Sequence, residues 1–118
     1  MNISELLRWQ WEGYSRYHQS RANLQLHIVM VPLFLLGNTV LIFALAQGFW
    51  LVAMLAIAAM VVSIATQGRG HATERVPPEP FTSKSNAVSR ILLEQWVTFP
   101  RFVLTGGWLN ALRRTAAP

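Results

Sequence analysis

Residues 28–68 read IVMVPLFLLGNTVLIFALAQGFWLVAMLAIAAMVVSIATQG, and these 41 positions contain no charged side chain. A helix needs about 20 residues to cross the hydrocarbon core of a bilayer, so the stretch is long enough for two crossings. Gln47-Gly48 divides it into candidate spans over residues 28–46 and 49–66, because glycine favours a turn and Trp50 suits a membrane–water boundary. Helices that are apolar on all sides need lipid or much surrounding protein to cover them. A chain of 118 residues supplies little such protein, so a membrane hairpin is favoured over a soluble bundle.

The charged residues all lie outside this stretch. Lys and Arg number ten against five Glu, for a net charge of +5, and charged residues make up 13% of the chain, which is about half of the usual share. A hairpin places both flanks on one side of the membrane, with a net charge of +1 over residues 1–27 and +4 over residues 69–118. The positive-inside rule then predicts that both termini are cytoplasmic. We interpret the basic excess as membrane topology and contact with anionic lipid, and not as a nucleic-acid interface.

The segment before the hairpin is expected to be helical. We expect an all-α fold with a single integral-membrane domain over residues 1–118, in which residues 1–27 form an amphipathic helix and a corner. Ser4 is the expected cap of the first helix, because a serine side chain satisfies free N–H groups at a helix start. Ser20, or alternatively Asn23, is the expected cap of the helix that continues into the first span.

The segment after the hairpin is expected to begin with a loop and to end in a helix. Residues 67–85 carry the motif around the third histidine and a run of prolines, so we expect a loop there. Residues 86–118 are expected to form an amphipathic helix and a basic tail, with Pro100 interrupting the helix. In this helix Arg90 and Glu94 lie opposite the apolar stripe.

Three histidines are the residues most able to carry chemistry. The sequence has no Cys and no Asp, which excludes disulfide frameworks, thiolate metal sites and iron–sulfur clusters. His18 and His27 precede the first span and His71 follows the second, so a hairpin brings all three to one membrane face. Imidazole with carboxylate suits iron, zinc, manganese or copper. Three His, or two His with Glu74, would leave positions open for water, oxygen and substrate.

The spacing of these histidines makes a structural prediction. His18 and His27 are nine residues apart, which in one straight helix puts them on opposite faces and roughly 13 Å apart. They share a metal within one chain only if the helix breaks between them, so we expect a corner near residues 20–23. A homodimer that shares the site between protomers would also relieve this spacing. Asn23 precedes His27 by one helical turn, which lets its amide orient the imidazole.

The residues around these histidines form recognisable motifs. These are Tyr17-His18-x4-Asn23-x3-His27-x4-Pro32 and Gln67-Gly68-x-Gly70-His71, followed downstream by Pro78-Glu79-Pro80-Phe81 and the run from Glu94 to Phe102. The pattern resembles that of the 2-hydroxy fatty acid dioxygenases, whose fungal member acts in the conversion of phytosphingosine to odd-numbered fatty acids, and the likeness runs from about residue 13 to 107. The downstream segments resemble a bacterial branch of this family, which implies a bacterial inner membrane.

The resemblance implies an Fe(II)-dependent membrane dioxygenase that uses O2 and shortens a 2-hydroxy fatty acid by one carbon through α-oxidation. It assigns the metal to the three histidines, with Asn23 and Tyr17 as supporting residues. Glu74 follows its histidine by three positions, where the fungal pattern has four, and is a further catalytic candidate. Arg21, Arg69 and Arg75 are the candidates for binding the substrate carboxylate.

Two other functions remain open at this point. The chain is also compatible with a non-enzymatic membrane hairpin that acts as a scaffold and whose histidines are merely interfacial. The same histidine cluster is compatible with a zinc-dependent membrane hydrolase. Loss of activity without oxygen separates an oxygenase from a hydrolase, and metal analysis separates both from a scaffold.

Overall fold

The structure is a computed structural model that describes residues 1–116, and all its regular elements are helical. A 3-10 turn follows the first helix, and a π-helix separates the fourth from the fifth. This confirms the expected all-α fold. The elements in chain order are α1 Ile3–Tyr14, the 3-10 turn Ser15–Tyr17, α2 Arg21–Gln47, α3 Trp50–His71, α4 Lys84–Leu93, the π-helix Glu94–Thr98, α5 Phe99–Leu104 and α6 Gly107–Thr115.

Helices α2 and α3 form the expected hairpin and pack side by side. The turn between them contains Gly48 in the left-handed conformation, with φ of +73°, which glycine adopts without steric cost. Both helices are long and apolar enough to cross a membrane. Only 22% of the most apolar 18-residue stretch of each helix is buried inside the structure. The hairpin therefore presents an apolar outer surface. Residues 67–71, expected in a loop, form the last turn of α3 instead.

A corner separates α1 from α2, as the spacing of the first two histidines required. Helix α1 begins under a cap from Asn2, whose side chain accepts a hydrogen bond from the backbone N–H of Glu5; the expected cap, Ser4, lies inside the helix. Ser20 caps α2 by accepting from the backbone N–H of Asn23. Residues 18–20 belong to no helix, so the direction of the His18 side chain is not set by the periodicity of α1 or α2.

The C-terminal helices pack against the start of the hairpin. The buried core combines Tyr14 of α1 and Leu24 of α2 with Phe99 and Phe102 from the region of α5. Trp108 of α6 donates its indole N–H to the backbone carbonyl of Leu24 at 2.8 Å. These contacts hold the corner, the base of the hairpin and the π-helix together at one end of the molecule.

The chain passes Pro100 without ending its helical path, contrary to the expected interruption. The proline lies in the first turn of α5, where its missing N–H is tolerated. The preceding turn is a π-helix, in which the N–H of Phe99 bonds to the carbonyl of Glu94. This wider turn begins at Glu94.

Candidate metal centre

Three imidazole rings meet where the corner, α2 and α3 converge. The ring centroids of His18, His27 and His71 lie 4.8–5.0 Å from one another. Each ring presents one buried nitrogen that has no hydrogen-bond partner among the described residues: Nε2 of His18, Nε2 of His27 and Nδ1 of His71. Buried polar atoms are nearly always satisfied, so three orphaned nitrogens in one place indicate a missing ligand.

The backbone fixes two of these rings in the tautomer that metal binding needs. Nδ1 of His18 lies 2.8 Å from the carbonyl oxygen of Tyr14, and Nδ1 of His27 lies 3.0 Å from that of Asn23. Because a carbonyl only accepts, each Nδ1 carries the proton and each Nε2 offers its lone pair. Asn23 thus orients His27 through its main chain, and not through the side-chain amide that the sequence suggested.

A carboxylate from the C-terminal half completes the cluster. Oε2 of Glu94 lies 3.4 Å from Nε2 of His18 and 3.7 Å from Nε2 of His27. His18, His27, His71 and Glu94 together form a candidate set of metal ligands, called the metal group below. Their four candidate ligand atoms all lie within 4.8 Å of one another. Ligand atoms on one metal at about 2.1 Å are roughly 3–4 Å apart, so the group approaches the size of a metal site.

Glu94 is the candidate ligand that sequence reasoning missed. The sequence placed it opposite the apolar stripe of its helix, but its side chain is only 17% exposed. Val88 is 58% and Leu92 is 40% exposed, whereas the Glu94 carboxylate lies close to His18 and His27. The one sequence signal was the match of the Glu94 to Phe102 segment to the bacterial branch of the resembled family.

The carboxylate of Glu94 is held in its ionised form. Burial alone would raise its pKa, but the neighbouring His18 and His27 and the Tyr14 hydroxyl outweigh burial and hold the pKa at about 2. The hydroxyl of Tyr14 donates to Oε2 of Glu94 at 2.7 Å. Burial and the negative charge of Glu94 raise the pKa of Tyr14 well above its usual value, so this phenol remains a donor. The donor set is therefore three imidazoles and one anionic carboxylate, which fits a divalent metal.

Glu74 lies outside this group and holds the corner. Its carboxylate accepts hydrogen bonds from the backbone N–H groups of Gln19 and Ser20 and from the side chain of Asn23 at 2.7 Å. These donors belong to the start of α2 and the residues before it. Glu74 thus ties the turn after α3 to the corner and supports the positions of His18 and His27.

The other predicted site residues are three arginines and Tyr17. Arg21 bonds to the hydroxyl of Thr115, and the side chains of Arg69 and Arg75 are exposed. The hydroxyl of Tyr17 lies 3.4 Å from the carboxylate of Glu79. In the described part of the chain, the three arginines do not line the cavity beside the histidines, whereas Tyr17 does.

A cavity of about 500 Å³ opens beside the metal group and is bounded in part by His18, His71 and Glu94. Its walls come from α1, the end of α3, the segment over residues 78–81 and α4. The cations among its lining residues are Arg16 and Arg90. A substrate in this space has direct access to the cluster.

A reciprocal amide pair fixes the π-helix to α3. Gln67 and Gln95 each donate to the other's side-chain oxygen at 2.8 Å, and Gln67 also donates to Ser63. All three side chains are buried. Because Gln95 directly follows Glu94, this pair fixes the backbone at Glu94 next to α3, the helix that carries His71.

Comparison with known protein families gives a match over most of the chain. The sequence model of the Mpo1-like family, described as 2-hydroxy-palmitic acid dioxygenase Mpo1-like, matches residues 5–101. The matched range includes all four members of the metal group. No curated protein and no solved structure matches the chain. The match covers most of the sequence, so the chain belongs to the Mpo1-like family.

Proposed function

We propose that this protein is a membrane dioxygenase that removes one carbon from 2-hydroxy fatty acids by α-oxidation, with an Fe(II) ion held by His18, His27, His71 and Glu94. The observation that carries the proposal is the meeting of three orphaned imidazole nitrogens with one ionised carboxylate. The substrate class is the one in the description of the family.

The four side chains have distinct tasks in this proposal. His18 and His27 offer Nε2 because backbone carbonyls hold their Nδ1 protons, and His71 offers Nδ1. Glu94 supplies the one negative charge, and Tyr14 hydrogen-bonds the carboxylate. A bound iron would supply the activation of O2.

The substrate fits a site at a membrane boundary. A 2-hydroxy fatty acid carries its carboxylate and hydroxyl on adjacent carbons at one end of an alkyl chain, so this polar end would face the metal group. Arg16 and Arg90 line the cavity and offer positive charge to the carboxylate. Arg21, Arg69 and Arg75 would instead attract the acid toward the membrane face.

The hairpin supports a location in a membrane. Its outer surface is apolar along both α2 and α3, and the metal group lies at the end where the charged flanks collect. By the positive-inside rule we place this end and both termini in the cytoplasm, with a bacterial inner membrane as the host.

Oxygen consumption by the purified protein tests the proposal. The protein is reconstituted in nanodiscs with Fe(II) and given 2-hydroxyhexadecanoate, and we expect O2 uptake together with a fatty acid one carbon shorter. The variant His71→Ala should consume no O2, and zinc in place of iron should not restore activity. Product formation without O2, or full activity in His71→Ala, would contradict the proposal, and zinc-dependent hydrolysis would favour a hydrolase.

A further inference from the structure

The motif Gln67-Gly68-x-Gly70-His71 contains two glycines, and packing explains only one of them. A Cβ at Gly70 would collide with the side-chain oxygen of Asn23 and crowd its Cα. Asn23 is fully buried and holds His27 and the corner. Gly70 therefore permits the close approach of α3 to α2 on which the metal group depends.

Gly68 has no such explanation. A Cβ built at this position would meet nothing within 4 Å among the described residues. The residue lies inside α3, and the left-handed glycines of the chain are Gly48 and Gly106. Glycine inside a helix costs roughly 1 kcal/mol relative to alanine. Neither packing nor backbone conformation accounts for that cost, whereas Gly68 does line the cavity beside the metal group.

The cavity follows one face of α3 past this glycine. Ile64, Gly68 and His71 all line it, and their spacings of four and three residues place them in one stripe on the helix. The stripe is about 10 Å long, at 1.5 Å per residue. It leads from the metal group into the charge-free part of the hairpin, where Ile64 lies. Ile91 of α4, one turn before Glu94, also lines the cavity.

We propose that Gly68 is a specificity-determining residue whose missing side chain leaves room for the alkyl chain of the substrate. The chain runs from the metal group past Gly68 to Ile64 and Ile91, while the polar end stays at His71. This inference rests on the proposed function, since it takes the substrate to be an acid with a long alkyl chain. Any side chain at position 68 enters the path a few ångströms from the reacting carbons.

A graded series at Gly68 tests the inference. The variants are Gly68→Ala and Gly68→Leu, and the matched control is Ala65→Leu, which adds the same side chain to an exposed position of α3. Each protein is purified in detergent with iron, and three quantities are measured: the dissociation constant of 2-hydroxyhexadecanoate by displacement of a fluorescent fatty acid, the melting temperature and the iron content.

We expect the melting temperature of Gly68→Ala to stay the same or rise, because alanine favours the helix. Affinity for the acid should fall in the order wild type, Gly68→Ala, Gly68→Leu. We expect Gly68→Leu to lose about tenfold or more in affinity, because one extra methylene in an apolar pocket already changes discrimination about tenfold. Iron content should not change in either variant. Ala65→Leu should bind the acid like the wild type.

Wild-type affinity in Gly68→Leu with full iron content would overturn the inference. A lowered melting temperature for Gly68→Ala would also overturn it, because the glycine would then be structural. If the wild type binds the acid but does not convert it, the proposed function fails and the series still decides the role of Gly68. If the wild type binds no fatty acid, both fail.

Discussion

Removing the hydroxyl of Tyr14 should weaken the metal site without disturbing the fold. Tyr14 touches two of the four proposed ligands: its hydroxyl donates to Glu94 at 2.7 Å, and its ring stacks on that of His18 with centroids 3.8 Å apart. Its backbone carbonyl also fixes the tautomer of His18. Tyr14→Phe keeps the ring and the carbonyl and deletes only the bond to the carboxylate.

The size of the effect follows from that one bond. A hydrogen bond to a charged group contributes about 1.5–3 kcal/mol, and each 1.4 kcal/mol changes an equilibrium constant about tenfold. If the whole loss is expressed in metal binding, iron affinity falls roughly 10-fold to 150-fold. Substitution of groups that orient metal ligands typically costs about 10-fold to 100-fold in affinity, which agrees with this range.

The assay is competition for Fe(II) between the purified protein and a chelator of known affinity, under anaerobic conditions. Tyr17→Phe is the matched control, because Tyr17 is the other tyrosine of the chain and its hydroxyl faces Glu79 at 3.4 Å. We expect control and wild type to compete equally and Tyr14→Phe to release iron more readily. Equal iron affinity for Tyr14→Phe and the wild type would refute the assignment of Glu94 as a ligand supported by Tyr14.

Three further substitutions separate the roles of neighbouring residues. Glu94→Gln should lower iron affinity by more than Tyr14→Phe does, since it removes the negative charge itself; chelator competition measures this, and an unchanged affinity would contradict it. Glu74→Gln should leave iron affinity nearly unchanged and lower the free energy of unfolding by about 1–2 kcal/mol, because its carboxylate holds the corner; chemical denaturation checks this, and selective iron loss would argue against it. Gly70→Ala should lower the free energy of unfolding by roughly 1–3 kcal/mol through its collision with Asn23, and a melting temperature as high as that of Gly68→Ala would contradict the packing argument.

Much of the fold was predictable because its determinants are local in the sequence. The absence of charge over residues 28–68 predicts two apolar helices, and Gly48 marks the turn between them. The hairpin also predicted that the three histidines approach one another, because both of its ends emerge together. The corner was expected on the premise that His18 and His27 share a metal, since one straight helix would keep them far apart.

Glu94, the fourth member of the metal group, was not predicted because its helix does not follow a rule that holds for soluble proteins. Amphipathic helices of soluble proteins turn their apolar face inward, and by that rule Glu94 faces solvent. In α4 two apolar residues, Val88 and Leu92, are exposed instead. The π-helix that begins at Glu94 turns the carboxylate toward His18 and His27.

Glu74 makes contacts that the sequence alone did not predict. It follows His71 by three positions, which suggests a shared helical face, but α3 ends at His71. The chain then turns, and the carboxylate reaches back to the N–H groups of the corner. Contacts of this kind join residues more than 50 positions apart, so no local pattern predicts them.

The iron content of the purified protein tests the central claim most directly. The wild type and the variants His18→Ala, His27→Ala, His71→Ala and Glu94→Gln are expressed together with iron, purified identically in detergent and analysed by mass spectrometry of the metal. The account predicts about one iron per wild-type chain and strongly reduced iron in every variant, with the folded state confirmed by circular dichroism. A wild type without bound metal, or variants that retain the full metal content, would contradict it.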